Sequence, residues 1–170
     1  MAIPKLFWAE VALSAIVLVI ATAFDLKKGQ IPNVIVFPAM ALAFALSVVG
    51  VCVKGFSWGY FSRYILTASV FFFGILRLMG MGDIKLIMTL SLCNSPLTIF
   101  AMLAVGAVLL VAVQAIKAPK ETSDQIHYTL TTISAGALPK ARNKKTIPFA
   151  PYLLMGYVAM QVAGGLLCLL

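Results

Sequence analysis

The 170-residue chain is 62% hydrophobic and only 11% charged, with a mean hydropathy of +1.05. Soluble domains carry about 25% charged residues, so this composition excludes an ordinary water-soluble globule and leaves room for one helical membrane domain. The net charge of +8 does not point to nucleic acid, because the basic residues cluster between apolar runs, the pattern of a positive-inside membrane protein. The isolated Cys52, Cys93 and Cys168 lie in or at the ends of apolar stretches and read as small buried hydrophobes. His127 reads as a solvated side chain rather than a zinc ligand. No metal or cofactor is expected.

Residues 6–24 are apolar apart from Glu10 and long enough to span a bilayer. Ala21-Thr22-Ala23 resembles a signal-peptide cleavage site. However, Lys27 and Lys28 follow the segment while only Lys5 precedes it, so charge bias favours a retained helix with its N-terminus outside. A polar turn follows from Asp25 to Ile31, and Pro32 suits the first turn of a new helix. Residues 33–53 form an uncharged second span. Trp58 and Tyr60 are expected in an interface belt. A third span covers residues 60–79, with Arg63 and Arg77 snorkelling to headgroups.

Residues 86–116 carry no charge and are too many for one span of about 20. Asn94-Ser95-Pro96 supplies the break, giving a short span at 83–93 and another at 97–116. A basic loop at 117–146 belongs on the cytoplasmic side, and the last span runs over 148–170. The expected fold is therefore all-α, a single membrane-embedded domain of about six transmembrane helices with both termini outside. Ten of the thirteen Lys and Arg residues then fall inside, all but Lys5, Lys54 and Arg63. Span four is too short to cross, so Asp83 at its start is expected deeper than Asp25. Tilt, an outer turn below the surface, or a water-filled inlet would each reduce that mismatch.

Asp25 and Asp83 are two of only five acidic residues. A carboxylate at the edge of lipid is costly and is a functional hypothesis by default. Gly80 and Gly82 flank Met81 just before Asp83 and leave space for another backbone. Peptide hydrolysis by two aspartates needs one to activate water and one to protonate the carbonyl. In contact they share a proton and titrate as a unit, so neither is assigned as acid or base. The structural alternative is that each Asp merely ends a helix. It suits Asp83 at a helix start but not Asp25 at a helix end.

Three stretches then carry a resemblance: Asp25 with Ile31-Pro32-Asn33, Gly80-Met81-Gly82-Asp83-Ile84-Lys85, and Ile147-Pro148-Phe149-Ala150-Pro151-Tyr152. Together and in this order they resemble the signatures of the type IV prepilin peptidases, polytopic GxGD aspartyl proteases. The resemblance implies Asp25 and Asp83 as catalytic residues. It implies a prepilin or pseudopilin substrate, cut at the cytoplasmic face of the inner membrane between a short basic leader and a hydrophobic helix. Gly80 and Gly82 would admit the substrate backbone, and Pro148 and Phe149 would border the cleft. Pro32, Asn33 and Lys85 would be supporting residues; a snorkelling lysine and a helix-start asparagine are equally good readings of the last two. The chain lacks the paired cysteines of the long, N-methylating members. It therefore resembles the short peptidase-only members that accompany Flp-type (tight adherence) pili, with archaeal preflagellin peptidases a related possibility. Competing readings are a presenilin-like protease, whose Tyr-Asp and Pro-Ala-Leu motifs are not matched, a small proton-coupled carrier and a structural subunit of a secretion apparatus.

Overall fold

The structure, a computed structural model, describes residues 2–75, 80–117, 131, 134 and 148–167. Arg77, the basic loop at 117–146 with His127 (apart from Lys117, Thr131 and Ser134), and Cys168 lie outside the described residues. Six helices account for nearly all of them: α1 (Ala2–Lys28), α2 (Asn33–Lys54), α3 (Trp58–Ile75), α4 (Met81–Cys93), α5 (Pro96–Lys117) and α6 (Ala150–Leu167). No strand is present among the described residues. Leu6–Lys28, Asn33–Lys54 and Pro96–Ile116 are long and apolar enough to cross a membrane, and Ala150–Ala163 is a shorter apolar helix.

These helices are apolar all round, so an amphipathic stripe cannot decide which face turns inward. Size decides it. The buried stripe of α2 is Val36, Ala39, Ala43, Ser47 and Gly50, while Phe37, Leu42, Phe44 and Val48 point outward. Apolar lipid tails supply no hydrophobic drive between helices, so close packing of small residues takes its place. Gly50 receives the Tyr60 ring, and Gly74 sits against Ile84. At the α5–α6 seam backbone meets backbone. A Cβ on Gly106 would lie 3.1 Å from the Tyr152 carbonyl oxygen, and one on Gly156 would lie 2.5 Å from that of Met102.

The short α4 is the hub, with α1, α2, α3 and α5 around it. Its buried side chains include Ile84, Leu86, Ile87, Thr89, Leu90 and Leu92. It ends at Asn94, whose Nδ2 donates to the Leu90 carbonyl (2.9 Å) and to Ser14 Oγ on α1 (3.0 Å). Ser95 Oγ then accepts from Thr98 N (3.3 Å), capping α5, with Pro96 at the first helical position where no N–H is missed. The Asn-Ser-Pro break thus stands as expected, but level with the middle of α1 rather than with its end.

Two expectations need correction there. Arg63 does not snorkel outward. Its guanidinium donates to both Glu10 oxygens (3.2 and 3.3 Å) and more weakly to the Leu92 carbonyl (3.4 Å), and it lies 5.1 Å from the Tyr60 ring centroid. The pair is enclosed, with side-chain exposures of 18% for Arg63 and 5% for Glu10. Tyr60 is buried as well, at 5% exposure, rather than lying in an interface belt. Arg63 turns inward because Glu10 would otherwise be a buried charge without a partner, and the pair lines a cavity of about 320 Å³ beside the end of α4, while the Tyr60 ring is covered by Gly50 of α2.

Two smaller differences concern boundaries. The first helix continues to Lys28, one turn past Asp25, and closes on Gly29, whose φ of 61° suits glycine. Pro32 stands at the N-cap of α2 rather than inside its first turn.

Because removal of one partner leaves the other charge buried and alone, Arg63→Met is expected to cost about 3 kcal/mol. Unfolding of the detergent-solubilised protein by heat or SDS checks this. Adding Glu10→Gln should recover most of the loss, whereas equal losses in the single and double variants would refute the pairing.

Candidate active site

Asp25 and Asp83 reach the same cavity because of helix register. Ser14 to Asp25 on α1 and Asp83 to Asn94 on α4 are both steps of eleven residues, about 16 Å of helix. The helices run antiparallel and are pinned together where Asn94 bonds Ser14. Counting down from that bond brings both carboxylates to one level. The depth mismatch expected from the length of span four is thereby removed, through a turn that ends inside the length of α1.

The cavity measures about 490 Å³ and is lined by Asp25, Gly29, Gln30, Ile31, Asn33, Gly80, Met81, Gly82, Asp83 and Lys85. It collects the first two motifs in full view of each other, and the two carboxylates are close enough to repel. The Gly29-Gln30-Ile31 link between α1 and α2 turns over α4, with Ile31 buried against Gly82.

The two glycines differ in what they leave room for. A Cβ on Gly80 would lie 3.1 Å from Asp83 Oδ2, whereas one on Gly82 would make only ordinary contact with Ile31, at 3.6 Å. Gly80 also accepts the Ile84 N–H (3.1 Å), starting α4 directly beneath the carboxylate.

Asp25 is buried, and its Oδ2 accepts the backbone N–H of Ala150 at 2.9 Å. This contact answers why a carboxylate stands near the end of α1: it faces the N-terminus of α6, where free N–H groups and the helix dipole favour negative charge. The Pro-Phe-Ala-Pro stretch builds that N-terminus. Phe149 packs against the core, its carbonyl accepts the N–H groups of Tyr152 and Leu153 (3.1 and 3.2 Å), and Ala150 is left to donate to Asp25. Pro148 and Phe149 stand directly before Ala150 and are not among the residues that line the cavity. Their contribution is to aim Ala150.

Lys85 and Asn33 are joined, with Nζ donating to Asn33 Oδ1 at 2.9 Å. The same ammonium lies 4.8 Å from the Phe37 ring centroid. Lys85 therefore ties the first turn of α2 to α4 on the cavity wall rather than reaching away to headgroups. The residues that sequence reasoning missed are Gly29, Gln30 and Ala150. Gly29 carried a signal, a glycine where a helix must end. Ala150 carried a weaker one, an N–H between two prolines at a helix start.

No curated protein and no solved structure matches the chain. A family model described as the type IV leader peptidase family matches residues 12–116, more than half of the sequence and both aspartate motifs. The Pro-Phe-Ala-Pro stretch falls beyond the match, yet it meets Asp25 in space. With its apolar spanning helices and this match, the chain belongs to the type IV leader peptidase family and is a membrane-bound peptidase.

Proposed function

We propose that the protein is an aspartyl prepilin peptidase in which Asp25 and Asp83 act together. The observation that carries this reading is the single cavity lined by both carboxylates, Gly80 and Gly82. One carboxylate takes a proton from water as the oxygen attacks the scissile carbonyl, and the other protonates the carbonyl oxygen. Collapse of the tetrahedral intermediate breaks the C–N bond and returns a proton to the leaving amine. Ala150 N–H fixes the position of Asp25 throughout. Supporting roles follow: Lys85 and Asn33 hold the cavity wall, Pro32 starts α2 beside it, and Pro148 and Phe149 aim Ala150.

The substrate is a prepilin or pseudopilin with a short basic leader and a hydrophobic N-terminal helix, as in Flp-type pilus systems. The site faces the cytoplasm from the inner membrane. The alternating direction of the six helices along the chain supports six spans with both termini outside, with α4 a short internal crossing. Lys27 and Lys28, at the end of α1, support the cytoplasmic side.

A gel-shift cleavage assay with intact prepilins tests the mechanism. Asp25→Asn and Asp83→Asn are each expected to abolish cleavage while the proteins remain in the membrane at normal levels. Cleavage by either variant at the native rate would sink the two-carboxylate mechanism. A purely structural subunit would keep pilus assembly intact in Asp83→Asn.

The glycines give a graded test. Gly80→Ala pushes against Asp83 Oδ2, and a displaced catalytic group can cost about a hundredfold in rate. A fall of at least about tenfold is therefore expected for Gly80→Ala, with Gly82→Ala close to native. The reverse order, measured as kcat/KM on the same prepilin, would contradict the geometry.

A further inference from the structure

Beside α4 runs a second, wholly different cavity. It is an apolar groove of about 430 Å³ between α3 and α5, which scarcely touch each other. Ser69 and Phe73 form one wall, Phe100 and Leu103 the other, and Ile84 and Ile87 the floor. The floor begins at the residue after Asp83. Ile87 stands one helical turn above Asp83 on the same face of α4, so the groove leads away from the carboxylates along the hub helix and toward Pro96.

We infer that this α3–α5 groove seats the hydrophobic N-terminal helix of the substrate. The inference rests on the peptidase reading, which makes the substrate a chain whose cut bond lies directly before an apolar helix. Such a helix must leave the carboxylates and enter the bilayer at once, and the groove begins where it must start. Its walls suit a helix laid lengthwise, since anchors recurring every three or four residues can settle between two ridges. Ser69 lets a neighbouring backbone approach closely. Its hydroxyl already donates to the Ile65 carbonyl at 2.8 Å, so no unpaired polar group meets an apolar occupant.

The companion groove between α2 and α3 is larger, about 580 Å³, but fits this role less well. Its floor starts at Met88, more than a turn beyond Asp83, and its near end is occupied by Lys85 stacked on Phe37. Neighbouring residues on α3 separate the two: Ser69 lines the first groove and Ala68 the second.

That adjacency sets the experiment. Asp83→Asn protein with Cys52, Cys93 and Cys168 changed to Ala, carrying Ser69→Cys or Leu103→Cys, is oxidised with a prepilin. The prepilin bears a single cysteine in the first two turns of its apolar helix. Disulfide capture is expected at Ser69→Cys and Leu103→Cys, and not at Ala68→Cys or Phe44→Cys in the companion groove. Capture confined to the companion groove, or equal at all four positions as for a lipid-filled surface, overturns the assignment. In the otherwise native chain, Ser69→Trp should raise KM for the prepilin about tenfold, one lost anchor contact, with kcat little changed. Ala68→Trp should leave both near native, and an unchanged KM in Ser69→Trp overturns the groove whatever the cysteine variants do. Native enzyme runs alongside on a panel of prepilins. Cleavage there with capture elsewhere refutes the groove alone, whereas no cleavage of any prepilin refutes the peptidase reading and the groove with it.

Discussion

The hydrogen bond from Asn94 to Ser14 sets the vertical position of the shortest helix in the protein. A helix of 13 residues covers about 20 Å, against roughly 30 Å of hydrocarbon, so its two ends cannot both lie at a membrane surface. Tying its far end to the middle of α1 assigns the shortfall to that side. The near end, with Asp83, then comes level with Asp25. Elsewhere, helices in lipid are held by shape, which resists sliding only weakly when both partners are smooth. A buried amide bonded to a buried hydroxyl is different, because any slip breaks a directional bond between the two helices, leaving each group only its bond within its own helix, where no water can replace the lost one.

Among the described residues, two polar clusters stand at opposite ends of α4. At one end Asp25, Asp83, Asn33 and Lys85 line a cavity of about 490 Å³. At the other, Glu10, Arg63, Ser14 and Asn94 satisfy one another. The first set has spare acceptor capacity at Asp83; the second is closed upon itself, with the Ser14 hydroxyl also donating to the Glu10 carbonyl (2.9 Å). The two clusters thus differ in what their hydrogen bonds leave over. That distinction is invisible in composition, where Glu10 and Asp25 are simply two acids in one apolar segment.

Much of the site was legible because its motifs are local. Gly80, Gly82 and Asp83 lie within four residues, and the glycines next to a carboxylate announce a close approach. The turn at Asn94-Ser95-Pro96 was readable from proline chemistry, and helix positions from the length of the apolar runs. The depth of the turn was not readable, since it depends on the partner of Asn94, eighty positions away in sequence. The pairing of Arg63 with Glu10 was hidden for the same reason: an arginine near a span end has a cheap local solution, and only the burial of Glu10, fifty-three positions away, makes the long-range one better. The bond from Ala150 to Asp25 was not readable, because a backbone N–H leaves no mark on residue identity.

The glycine seam between α5 and α6 has a reach that its position conceals. Ala150 N–H is delivered to Asp25 by the first turn of α6, and the azimuth of that helix is fixed where Gly156 lies against the Met102 carbonyl. A single methyl group at 156 could be accommodated only by shifting or rolling α6 off α5, and a rigid helix transmits such a movement to its own first turn. The setting of Asp25 is thus controlled by a residue outside the cavity, through mechanical leverage rather than contact. Drift at this seam would detune the carboxylate while leaving every motif in the sequence unchanged.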